Sequence, residues 1–149
     1  MITSIVILAV SLGLFLYWFR YTCLLILSAR TGRDYAREVA ESNGLGFVNV
    51  QKQLPELMGG ESLDHVQVSL QRDYQVICGL MSHASDLKVS GFSMEDIMLR
   101  VDFTVMRSWY AVARSLAPRQ ASVAVGEMCQ IVSYFANTMG ERSLCNGSV

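Results

Sequence analysis

Proline is nearly missing from this chain, two residues in 149, and charged side chains make up only 17% of it. With 52% hydrophobic residues the chain can build a core, so low charge and few prolines exclude a disordered polypeptide. A net charge of -1 supplies no basic excess for a phosphate backbone, which argues against a nucleic-acid binder. Cys23, Cys78, Cys129 and Cys145 are scattered, with no C-x-x-C and no Cys-His pair at ligand spacing. A disulfide framework, a zinc site and a redox centre therefore lack support, and neither metal nor cofactor is expected. No catalytic signature stands out, and the expectation is a protein that is not an enzyme. The length suits one domain.

What is present is a long apolar run at the start. Ile2 to Phe19 holds 18 consecutive uncharged, mostly large apolar residues, enough to cross a bilayer core. Arg20, Arg30, Arg33 and Arg37 follow, against Asp34 alone. In a cleaved secretory signal the positive residues precede the apolar stretch, so this order predicts an uncleaved anchor. Tyr17, Trp18 and Tyr21 cluster around Arg20 as an interfacial aromatic belt does, which favours a span over about residues 2 to 19. The positive-inside rule then predicts an outer N-terminus and a cytoplasmic C-terminal part. Residues 38–99 carry nine acidic and three basic side chains, and residues 100–149 carry three and five.

Beyond the anchor the pattern is helical throughout. Without proline before Asn43-Gly44, one helix of ~40 residues is predicted from Ile2 to Ser42, so that residues 1–20 anchor and 21–43 extend the helix. Residues 44–60 read as a short helix and linker interrupted by Pro55. Leu63, Val66, Leu70, Tyr74, Ile77, Met81 and Ala84 recur at helical spacing, as one buried stripe. Ser93 and Asp96 form a capping-box variant that starts the next helix. There Met98, Val101, Val105, Trp109, Val112 and Leu116 predict the buried stripe, and Pro118 ends the ladder. Ala121, Val125, Met128, Val132, Phe135 and Met139 give the third, closed by Gly140. The predicted fold is all-α: an N-terminal transmembrane helix, then a small antiparallel cytoplasmic bundle of three to four helices over residues 61–140, with 141–149 as a flexible tail.

Few residues suggest chemistry. Arg100, Arg107 and Arg114 repeat every seven residues, and Arg119 extends the row. Such a stripe suits phosphates, anionic lipid head groups or an acidic partner surface, and equally a solvated helix face or pairing with the acidic segment. Asp73 and Asp102 adjoin apolar stripes, and each is expected to pair with an arginine, Arg72 or Arg107. His65 and His83 lie five turns apart, ~27 Å along a helix, too far to share a metal. The segment His83-Ala84-Ser85-Asp86-Leu87-Lys88 weakly resembles the His-x-Leu-Lys-Gly of histidine phosphotransfer modules, with Leu and Lys two residues late and the glycine missing. That resemblance implies a ligand-binding or phosphotransfer domain using His83. The leading expectation is instead a membrane-anchored, non-enzymatic adaptor or accessory subunit, with the membrane and a protein or a second copy as partners.

Overall fold

Helical periodicity with almost no proline resolves into six helices in a computed structural model that describes residues 1–29, 34–55, 60–86 and 93–147. They are α1 (Ile2–Ser28), α2 (Ala36–Asn43), α3 (Phe47–Gln53), α4 (Gly60–Asp86), α5 (Met94–Leu116) and α6 (Pro118–Gly147). No strand occurs among the described residues, and the fold is all-α as expected. The chain divides into two units, residues 1–31 and 32–149.

The first unit is α1, whose apolar side chains, Ile5, Leu8, Leu12, Phe15 and Leu16 among them, are exposed. By length and composition it can cross a membrane. Its aromatic pair Trp18 and Tyr21 meets edge to face, and the Thr22 hydroxyl donates to the Trp18 carbonyl at 2.8 Å. The single helix expected to Ser42 is not formed: α1 stops at Ser28, and α2 begins anew at Ala36. The local chemistry explains the restart. Asp34 Oδ1 accepts the Ala36 N–H, while the Tyr35 N–H donates to Asn137 Oδ1 at 2.8 Å and is spent on α6.

In the second unit α6 is the centre, packed against α2, α3, α4 and α5. Val125, Met128, Ile131, Val132, Phe135 and Ala136 are fully buried there, in line with the stripe read from the sequence. On α4, Leu63, Leu70, Ile77 and Met81 are buried likewise. Tyr74 of α4 stacks on Phe103 of α5 with ring centroids 3.8 Å apart, and Asp64 meets Tyr110 and Arg114. Residue numbers fall on one helix as they rise on the other, so α4 and α5 are antiparallel. The short helices α2 and α3 complete the packing around α6. Turns follow the local signals: Gly44 takes the left-handed conformation (φ 63°) that ends α2, Ser93 and Asp96 form the capping box, and Pro118 opens α6.

Two further expectations are corrected. Of the stripe Met98, Val101, Val105, Trp109, Val112 and Leu116, all but the half-buried Met98 face outward, and α5 buries Leu99, Phe103, Met106, Tyr110 and Ala113 instead, with Asp96 and Asp102. Both stripes have helical period; the buried one carries polar members that find partners on neighbouring helices, Asp96 with Arg142 of α6 and Tyr110 with Asp64 of α4. Nor does Gly140 end α6, which continues to Gly147. A Cβ at 140 would lie 2.5 Å from Tyr35 Cβ, so this glycine answers the close approach of the chain entering α2.

Arg142 lies in the segment expected to be a tail, yet its guanidinium donates to Asp96 Oδ2 at 2.9 Å. The same oxygen accepts the Ser93 N–H. Arg142→Ala strips a buried carboxylate of its cation and should cost about 2 kcal/mol, at the low side of such losses because the arginine is partly in water. The thermal midpoint of the bundle should fall by about 8 °C, and Arg119→Ala should leave it in place.

Candidate functional site

The outward face of α5 follows from its sequence. At 100° per residue Met94, Ile97, Val101, Val105, Trp109, Val112 and Leu116 share one side of the helix, opposite the buried stripe. These seven side chains remain 40% to 79% exposed over about 33 Å of helix. Together they leave on the order of 700 Å² of apolar surface in water, above the ~300–600 Å² patch of a typical monomer. Thr104, Ser108, Ala111 and Ser115 run alongside, also exposed but low. The Thr104 hydroxyl donates to the Arg100 carbonyl and the Ser108 hydroxyl to the Thr104 carbonyl, each at 3.0 Å. Both hydroxyls are therefore satisfied within the helix, and covering this face strands neither of them.

The arginine row does not act as one stripe. Arg100 is half-buried, and its charge acts on Tyr74 and Cys78 of α4. Arg114 pairs with Asp64 at 3.1 Å. Arg107 and Arg119 are exposed. Beside the apolar strip, Arg107 is the row member that stands exposed without a carboxylate partner among the described residues. At the α4 edge, Tyr110 donates a 2.6 Å hydrogen bond to Asp64, which together with Arg114 holds the Asp64 carboxyl below its usual range. Burial and the Asp64 partner push the Tyr110 phenol up to about 12. Leu63, Asp64, Tyr110, Arg114, Pro118 and Ala121 line an open cleft of about 280 Å³ there, its carboxylate and guanidinium already spent on each other.

Asp73 does not form the ion pair expected of it. Its Oδ2 accepts the backbone N–H groups of Gly46 and Phe47 at 2.8 and 2.9 Å and so tethers the start of α3 to α4. Burial raises its pKa, the two N–H groups and Arg72 opposing. Asp102 is fully buried. Burial likewise pushes the Cys129 thiol up to about 12, an inert group whose S–H points to the Phe47 carbonyl.

His65 and His83 are exposed on α4, and Leu87 and Lys88 of the phosphotransfer-like segment lie outside the described residues. Tyr17, Trp18 and Tyr21 stand exposed on α1 around the half-exposed Arg20. No cluster of three His, Cys, Asp or Glu able to hold a metal occurs among the described residues. The feature that sequence reasoning missed is the exposed stripe, whose signal was the second apolar period on α5. Compared with family models, with curated proteins and with solved structures, the chain matches none.

Proposed function

We propose that this chain is a membrane-anchored docking module: a non-enzymatic adaptor or accessory subunit whose α5 face binds protein. The observation that carries this reading is the exposed apolar strip on α5, in a chain whose first helix is long and apolar enough to cross a bilayer. Arg20, Arg30, Arg33 and Arg37 after the apolar run support a single pass with the N-terminus outside and the bundle in the cytoplasm. Tyr17, Trp18 and Tyr21 would then sit at the inner interface.

A photoreactive residue in place of Val112 tests the docking face in native membranes, with Gln120, exposed on α6, as control position. The expected result is a protein adduct from position 112 and none from 120. Release of the chain by alkaline carbonate would overturn the anchor, and a label found only on lipid would overturn protein docking.

A further inference from the structure

We infer that the occupant of the α5 face is the α5 face of a second copy, in a two-fold symmetric pair. This rests on the docking reading above and names the partner. Three observations lead there. The first is shape. Ile97, Val101, Val105 and Trp109 form a tall row at i, i+4 spacing, and the adjacent row is low where Thr104 and Ser108 stand. A tall row beside a low one is self-complementary: the ridge of each copy seats in the groove of the other. A two-fold axis needs the same patch on both copies, and this face supplies it.

The second observation is area. The strip offers on the order of 700 Å² per copy, close to the ~800 Å² that one partner brings to a standard-size interface. The third is electrostatic. An acidic partner or an anionic bilayer would be read by a row of free guanidinium groups, but Arg114 is engaged by Asp64 and Arg100 is half-buried, so that Arg107 alone of the three stands exposed without a carboxylate beside it among the described residues. What is left is an apolar face flanked by one exposed cation, Arg107, with Thr104 and Ser108 bonded internally. Such a face fits a copy of itself better than a charged surface.

The test is the mass of the full-length protein in mild detergent over a concentration series. The wild type should be a dimer. Val105→Lys places a charge on the ridge, and Ser108→Phe fills the groove without one; both positions are exposed in the single copy, so the fold tolerates them. Each should weaken dimerisation at least tenfold while the thermal midpoint at low concentration stays put. A wild type that is monomeric throughout, or a dimer that survives both variants, overturns the proposal. The two readings fail separately. A monomer whose position 112 still captures a different protein leaves docking standing and removes self-pairing. A monomer with no protein adduct removes both.

Discussion

Val132→Asp is expected to abolish the folded state of the second unit. Val132 has no exposed surface on the helix that α2, α3, α4 and α5 all pack against. The substitution loses about 1.5–3 kcal/mol of apolar burial. It also places a carboxylate among Met128, Ile131 and Phe135, where it must either ionise without a partner or bind a proton. Several kcal/mol more follow, and the total reaches the ~5–15 kcal/mol that holds a whole domain. Because α1 keeps its helix in detergent, total helicity is a poor readout; the cooperative thermal transition and limited proteolysis are better ones. The same change at Val123, on α6 but facing solvent, should shift stability by no more than about 0.5 kcal/mol. Similar melting of the two variants would mean that α6 is not the core.

Asp73 makes the second large prediction, and it separates hydrogen bonding from charge. Asp73→Ala leaves the N–H groups of Gly46 and Phe47 without their acceptor, at about 1–3 kcal/mol each where they are buried. Asp73→Asn keeps an oxygen that accepts both and removes the charge. The raised pKa of Asp73 fixes the sign of the pH effect. A group whose pKa is higher folded than unfolded contributes stability that is full below its unfolded value and is lost as pH rises through the folded one. At neutral pH, above its unfolded value, Asp73 therefore sits in the regime where that stability is being lost. The asparagine variant should melt at or above the wild type at pH 7, and the wild type should recover the difference as pH falls toward about 4. The alanine variant should be the least stable at both. An asparagine variant as weak as alanine at pH 7 would show that the negative charge itself is needed at the start of α3.

Much of this was legible in the chain because local rules and tertiary packing agree. Asn43-Gly44, the Ser93/Asp96 box and Pro118 each act within four residues, and the structure places helix ends at all three. The α6 stripe was readable because Ala121, Val125, Met128, Val132 and Phe135 recur at helical spacing and all five are buried. The face of α5 was not, since both of its apolar stripes have the same period and the polar partners of the buried one lie far off in the sequence, Asp64 46 residues from Tyr110 and Arg142 46 residues from Asp96. The restart at Ala36 was hidden for a similar reason: Asn137, 102 residues away, takes the Tyr35 N–H. Asp73 was read as one half of an ion pair because its own helix shows only an apolar neighbour and Arg72. Its true partners are backbone groups, which have no signature in a sequence.

The central position of α6 also bears on how the protein is made. α6 follows in sequence every helix it covers, so while a ribosome is still producing it, α2 to α5 have been released without their common core. Leu70, Ile77, Leu99 and Phe103 then stand bare for as long as synthesis of α6 takes, seconds at about 5–20 residues per second. Collapse of the bundle is delayed until α6 emerges, long after α1 has been made.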